Sequence, residues 1–389
     1  MRLKWMMVAL AAALAAPAVL AQATQGVAKD KIVLGSIQDL SGPLAGFGKQ
    51  LRAGMTLRVD EVNEQGGVNG RKLELLFEDS GYDPKRAVLA AQKLVNQDKI
   101  FAMVGHLGTA QNMAAMPVQF EKNVVNWLPV TAAREMYEPY HRLKFSFAAP
   151  YFEQMRIALP KLVKDKAAKK VCTIYQDDEF GLEVLRGGEA GLKTIGMEFA
   201  EKTSFKRGAT DFSSQVARMK AAGCDFVVLG TIIRETIGTI AESRKTGFSP
   251  TFLGSSASYT DLIHKLGGKA MDGLYATMTV QNPYLDDASK ALSFWANKYK
   301  TKFSEDPTVF SVYGYNIIDS FAIAARKAGT TLTTDTFIKA MDTMVIEPDM
   351  FGASQITFTA TKRLGSDVSR LSQLQDGRWK VISEYFKAP

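Results

Sequence analysis

Apolar positions along this chain alternate between two periods. Lys31–Ile37 is a short apolar run that ends at a Ser-Gly-Pro turn and predicts a strand. From Gly46 to Glu64 the residues Phe47, Leu51, Met55, Val59 and Val62 recur at helical spacing, and Gly66-Gly67 stops the helix. Lys72–Glu78 predicts the next strand. Asp83-Pro84 supplies an N-cap followed by proline in the first helical turn, and Ala87–Asn96 continues that helix. Ile100–Val104 predicts a buried strand, Thr109–Asn123 a helix and Val124–Pro129 a strand.

The alternation then restarts. Strands are expected at Val171–Tyr175, Glu198–Thr203, Phe226–Leu229, Thr251–Leu253 and Leu274–Val280. Helices are expected at Phe180–Ile195, Phe212–Ala222, Arg234–Lys245 and Tyr259–Leu266. Strand–helix alternation implies parallel sheets covered by helices on both faces, and two runs with separate starts imply two doubly wound α/β lobes. The last third predicts helices at Ala288–Lys302, Ser311–Ala328 and Thr334–Thr343. It closes with a hairpin of Ser369–Leu374 and Arg378–Ser383 about Asp376-Gly377.

The N-terminus reads as a secretory signal. Arg2 and Lys4 precede an apolar stretch from Trp5 to Leu20, and Val19-Leu20-Ala21 offers small residues for cleavage after Ala21. Residues 1–21 are thus expected to be removed, with a periplasmic product and no lipid anchor, since no cysteine lies near the cleavage point. The length of 389 residues suits two domains. The formal charge of +8 is spread along the chain without a basic run interleaved with aromatics, which gives no support to nucleic-acid binding. Cys172 and Cys224 each begin a predicted strand. Export permits a disulfide, but each also reads as a small buried apolar residue, the commoner case, and a bridge between parallel strands is geometrically demanding.

Catalytic constellations are missing. His106, His141 and His264 have no metal-ligand spacing. Gly254-Ser255-Ser256-Ala257-Ser258 lacks the closing glycine of a nucleophile elbow, and Gly48-Lys49 lacks the remainder of a phosphate loop. Asp177-Asp178-Glu179 is explained by acids at a helix start. Neither cofactor nor metal is expected.

Several segments in order resemble the type I periplasmic binding proteins, specifically the leucine/isoleucine/valine-binding components of ABC importers. They are Leu40-Ser41-Gly42-Pro43-Leu44-Ala45-Gly46-Phe47-Gly48, Asn63-Glu64-Gln65-Gly66-Gly67-Val68-Asn69-Gly70-Arg71, Asp83-Pro84, Val104-Gly105-His106-Leu107 and Tyr175-Gln176-Asp177-Asp178-Glu179-Phe180-Gly181. The resemblance implies a non-enzymatic, monomeric binding protein whose lobes close about a small molecule and which docks on a membrane permease; a ligand sensor of the same fold is the alternative. It implies three hinge crossings, placed near Ser146–Pro150, Val280–Pro283 and Gln355–Phe358. Residues 28–148 and 281–356 would form one lobe, and residues 149–280 and 357–387 the other.

The resemblance also places the site. Gly108-Thr109 opens a helix after a buried strand and would hold a ligand carboxylate with a second hydroxyl, whose position falls at Ala132 with Thr131 one residue earlier. Where the family's amino-acid binders carry an acid for the ligand ammonium, this chain has Ser256. Phe180 and Ile232 replace aromatic hydroxyls, and Tyr151 stands where some members have Asp. With Ser41, Phe47, Leu107 and Val130 these complete the candidate ligand-binding set. Tyr259 is a further candidate wall and Arg234 a candidate anion partner. A buried ammonium without a partner is costly, so the expected ligand is a small neutral or anionic organic molecule, foremost a carboxylate with a branched or aromatic body, and a branched-chain amino acid is the alternative.

Overall fold

A computed structural model describes residues 24–387; the expected signal segment lies outside them. The first sheet takes its strands from β1 (Lys31–Gln38), β2 (Lys72–Asp79), β3 (Ala102–Val104), β4 (Val125–Trp127) and β5 (Lys144–Phe145). They lie in the order β2-β1-β3-β4-β5, all parallel. Between them run α1 (Ala45–Glu64), α2 (Pro84–Gln92) and α3 (Thr109–Glu121). Asp83 caps α2 by accepting the Arg86 amide at 2.9 Å, as its placement before Pro84 predicts. The remainder of that expected helix, Lys93–Gln97, widens into a π-helical turn.

The second sheet contains β6 (Val171–Gln176), β7 (Phe199–Phe205), β8 (Phe226–Gly230), β9 (Thr251–Gly254) and β10 (Tyr275–Met278), parallel in the order β7-β6-β8-β9-β10. Its helices are α4 (Tyr151–Asp165), α5 (Glu179–Lys193), α6 (Ser213–Ala221), α7 (Arg234–Lys245) and α8 (Asp261–Gly267). The helix α4 and the short β5 have no counterpart among the sequence expectations. Pro150 is the N-cap residue of α4, and Pro160 is buried within the helix.

The chain then returns to the first lobe. The helices α9 (Lys290–Phe303), α10 (Val309–Ala328) and α11 (Thr334–Met341) follow β10, and α10 packs along α1. The two helices touch backbone to backbone: a methyl group on Gly54 would meet the Ser311 carbonyl oxygen at 2.0 Å. A small ribbon pairs β11 (Val345–Ile346) with β12 (Ile356–Thr357). Then β13 (Val368–Gln375) adds antiparallel to β10, with β14 (Arg378–Val381) and β15 (Phe386–Lys387) paired to β13.

The chain therefore passes between the sheets three times. The first passage follows β5, as expected. The third differs from expectation: Gln355–Phe358 largely forms β12, and the segment that runs beside the first passage is Arg363–Gly365. Ser146 takes a hydrogen bond from Gly365 at 2.7 Å and gives one to Arg363 at 2.9 Å. The disulfide left open by the sequence is formed. Cys172 and Cys224 are bonded with Cα atoms 5.9 Å apart. Cys224 sits in the turn ahead of β8 rather than on a strand, so the difficulty of bridging two parallel strands does not arise.

Candidate functional site

Both sheets reverse strand order at a switch point, between β1 and β3 in the first and between β6 and β8 in the second. Ligands of open α/β sheets bind beyond the carboxyl ends of strands at such points. Here the two switch points face each other across a narrow cleft with about 550 Å³ of unfilled space, much of it open to solvent.

From the first lobe, Phe47 enters the cavity from α1. Leu107, Gly108 and Thr109 follow β3, and Val130, Thr131 and Ala132 follow β4. Gly108 is left-handed, with φ near 100°. A side chain there would meet Gln111 Oε1 at 2.2 Å, so the turn requires glycine. The first helical hydrogen bond of α3 runs from Asn112 to the Gly108 carbonyl. The amides of Thr109, Ala110 and Gln111 thus have no partner within the helix. The Thr109 and Thr131 hydroxyls, both buried, are 2.7 Å apart. Only one can donate to the other, so the pair keeps one O–H for a third group.

From the second lobe come Tyr151, Phe180, Ile232 and Ser256. Tyr151 and Phe180 meet edge to face with centroids 5.1 Å apart. Burial raises the Tyr151 phenol above its usual range, so it stays a neutral donor. Ser256 is held by Gln154, whose Oε1 accepts the Ser256 amide at 2.9 Å and whose Nε2 donates to its hydroxyl at 3.0 Å. Gln154 is itself fixed by Thr277 at 2.6 Å.

Three sequence candidates fall elsewhere. The Ser41 hydroxyl donates to Asp79 Oδ2 at 2.5 Å and is not part of the lining. Tyr259 is core: its hydroxyl accepts the Asn282 amide at 3.0 Å and its ring packs against Trp379. Arg234 is exposed and outside the lining. Sequence reasoning missed Tyr82, Phe147, Phe310 and Tyr313. Phe310 stacks on Phe47 with centroids 3.6 Å apart. Tyr82, from the first lobe, reaches the second: its hydroxyl takes a long hydrogen bond from Gln176 at 3.5 Å. Its ring lies 5.2 Å from the Arg207 guanidinium, which pairs with Asp178 at 2.6 Å. Phe310 and Tyr313 are one helical turn apart on α10, the spacing that marks a shared face. Nothing local to either residue distinguishes a cavity wall from core.

The family model for periplasmic binding proteins matches residues 31–378. The chain belongs to this family. A Pseudomonas aeruginosa relative named amino acid binding protein is 28% identical, with 82% of this chain and 83% of the relative aligned. Among solved structures, a fatty acid ABC transporter substrate-binding protein from Thermomonospora curvata superposes with a TM-score of 0.85, 22% identity and 94% coverage of both chains. A branched chain amino acid ABC transporter protein from Thermus thermophilus with bound valine gives a TM-score of 0.83, 18% identity, and coverage of 93% of this chain and 98% of its own. Both are likenesses of fold, the type I arrangement of two parallel-sheet lobes.

In this periplasmic binding protein the lining carries hydroxyls, backbone amides and aromatic rings, but no Asp, Glu, Lys, Arg or His. The departures at Phe180, Ile232 and Ser256 all face the same cavity. Among the described residues no helix is long and apolar enough to cross a membrane, and no group of three His, Cys, Asp or Glu side chains is placed to hold a metal ion.

Proposed function

We propose that this protein is the solute-binding component of an ABC importer and takes a carboxylate with an apolar, branched or aromatic body. The carrying observation is the Thr109–Thr131 hydroxyl pair at the start of α3, in a cavity whose lining has no carboxylate to meet an ammonium. Amides and hydroxyls at a helix start suit an anion, each such interaction contributing about 0.3–2 kcal/mol. The names of the relatives include amino acids and a fatty acid, and a carboxylate is what those ligands share. Without a buried acid, an α-ammonium would lose its hydration with no charged partner in return.

The assigned ligand-contacting residues are Phe47, Leu107, Gly108, Thr109, Val130, Thr131, Ala132, Tyr151, Phe180, Ile232 and Ser256. Residues 28–148 and 281–362 are assigned to one lobe and 149–280 and 366–387 to the other, the third boundary moved from 356 to the passage at Arg363–Gly365 so that β12 stays whole. The ligand touches both lobes and so stabilises the closed state by its differential contacts, through rotation about the three passages. The closed monomer then docks on the permease. The cavity offers no histidine, cysteine or carboxylate for proton or group transfer, which supports release of an unchanged ligand. Export by the signal at residues 1–21 would place this cycle in the periplasm.

The test is a thermal-shift screen with leucine, valine, branched aliphatic acids and aromatic acids. A ligand that binds only the native state raises its melting temperature. Stabilisation by the non-amino acids and none by leucine or valine is the expected result. Stabilisation by leucine or valine alone would overturn the exclusion of an ammonium-bearing ligand, and mean that another group meets that charge, while leaving the transport role in place.

A further inference from the structure

A second cavity lies directly behind one wall of the first. Phe147 and Tyr313 line both. Their rings meet edge to face with centroids 5.6 Å apart, and the Tyr313 hydroxyl is tied to Thr279 Oγ1 at 2.9 Å. Beyond them is about 1200 Å³ of unfilled space, part of it open to solvent, between α10, β11 and the passages. Leu128, Val280, Ile317 and Ile346 give this chamber apolar walls, and at its lining Ile323 and Val345 remain 38% and 49% exposed.

The polar side chains of the chamber are already engaged. Asp349 accepts the amides of Phe351 at 2.8 Å and Ala353 at 3.1 Å, and also the Asn316 side chain. Ser354 and Ser366 bond to each other at 2.6 Å, and Asp319 pairs with Arg58 at 2.7 Å. Ser320 donates to the Asn316 carbonyl, and Glu347 accepts from Gln355 at 3.1 Å. What the chamber offers a ligand is therefore apolar surface, adjoining a cavity that offers an anion site.

We propose that Phe147 and Tyr313 set the upper limit on ligand length, as a partition between the carboxylate cavity and an apolar chamber that would take the far end of a longer acid. This rests on the carboxylate reading above. Each additional buried methylene strengthens binding about fourfold. Affinity in the native protein should climb with chain length until the tail meets the ring pair, then fall.

Calorimetric titration with saturated straight-chain monocarboxylates of about four to about twelve carbons tests this on the native protein, Phe147→Ala and Phe147→Leu. Phe147→Ala should weaken short acids, which lose the ring contact, while longer acids gain about fourfold per added methylene past the native limit. Phe147→Leu should give an intermediate limit and guards against a misfolded alanine variant. Adding Ile346→Trp to Phe147→Ala fills the chamber from β11 and should restore the native limit. An unchanged limit in both Phe147 variants, or an extended limit that Ile346→Trp does not shorten, would overturn the partition. If no straight-chain monocarboxylate of any length binds any of these proteins, the partition fails, and the screen with branched and aromatic acids decides the carboxylate reading separately. Binding with a fixed limit sinks the partition alone.

Discussion

Arg134 grips Glu183 through two hydrogen bonds, Nε to Oε2 at 2.9 Å and Nη2 to Oε1 at 2.8 Å, from the loop after β4 in one lobe to α5 in the other. The Glu183 carboxylate is fully buried, the Arg134 side chain is 29% exposed, and its guanidinium also lies 4.0 Å from the Phe152 ring. Paired charge-assisted bonds of this kind are directional as well as strong. The pair therefore holds the lobes in one relative placement independently of ligand. Glu183→Gln should lower unfolding free energy by about 1–3 kcal/mol, less than for a fully buried pair because the freed guanidinium can reach water. Ligand affinity should fall with it, because closure loses a contact. Urea melts and calorimetry measure the two effects. Lowered stability with unaltered affinity would mean that the pair persists when the lobes open.

The hydroxyl pair at the head of α3 should be worth more to the ligand than to the fold. Thr109→Val and Thr131→Val each remove one oxygen of a bonded pair, and each should weaken carboxylate binding about tenfold, near 1.4 kcal/mol. The double variant should lose less than the product of the two, since the hydroxyls act as a unit. A thermodynamic cycle in titration calorimetry reads this directly. Full additivity would mean that the ligand contacts the two residues separately.

Acid should destabilise the protein through His106. Its ring is fully buried with both nitrogens lacking a protein partner, and burial depresses its pKa to about 3. The unfolded chain binds a proton near the ordinary value of about 6.5, so the stability contribution is complete above that pH and is lost as pH falls toward the folded value. Between about pH 7 and about pH 5 the loss should be about 2 kcal/mol from this residue. His141 and His264 are lowered too, by burial first, and add in the same direction. Denaturant melts of His106→Phe at both pH values should show a shallower slope than the native protein. An equal slope would assign the acid sensitivity to the other groups.

The Cys172–Cys224 bond closes a loop with a sequence separation of 52 residues. Restricting the unfolded chain to that extent stabilises a protein by about 4 kcal/mol in the chain-entropy account. Reduction, or Cys172→Ala with Cys224→Ala, should lower the denaturation midpoint accordingly, with no thiol titrating in the unreduced unfolded protein. A free-thiol signal before reduction would contradict the bond.

Much of this fold was legible because its elements announce themselves locally. The helix Arg234–Lys245 has the bounds the sequence predicts, and Asp83-Pro84 caps as its chemistry dictates. The failures have physical causes. The helix Tyr151–Asp165 was not expected from the sequence, and it carries Pro150 at its cap and Pro160 inside it, positions where proline is tolerated at a start or where packing compensates. The Gly108-Thr109 end of the cavity lining could be read because a glycine, a threonine and a helix start cluster in sequence there. The aromatic end could not. Tyr82 holds a left-handed backbone with φ near 60° beside the cap, and Phe310 and Tyr313 arrive from a helix far along the chain. The bond between Ser41 and Asp79 likewise joins two strand ends whose proximity appears only once β1 and β2 are paired.

The packing of α10 on α1 bears on how the molecule is made. The first lobe begins near the start of the chain, yet the helix that covers its α1 spans Val309–Ala328. At synthesis rates of about 5–20 residues per second, α1 waits many seconds before its partner emerges. Until then the side of α1 that meets α10, where Gly54 lies against the Ser311 carbonyl, stays uncovered, although Met55 already packs on Ser36 of β1. For a precursor exported as its N-terminal sequence predicts, a first lobe completed late is compatible with crossing a membrane before folding. The order in which the chain visits its two lobes thus leaves the first-lobe helix layer incomplete until the last third of the chain has been made.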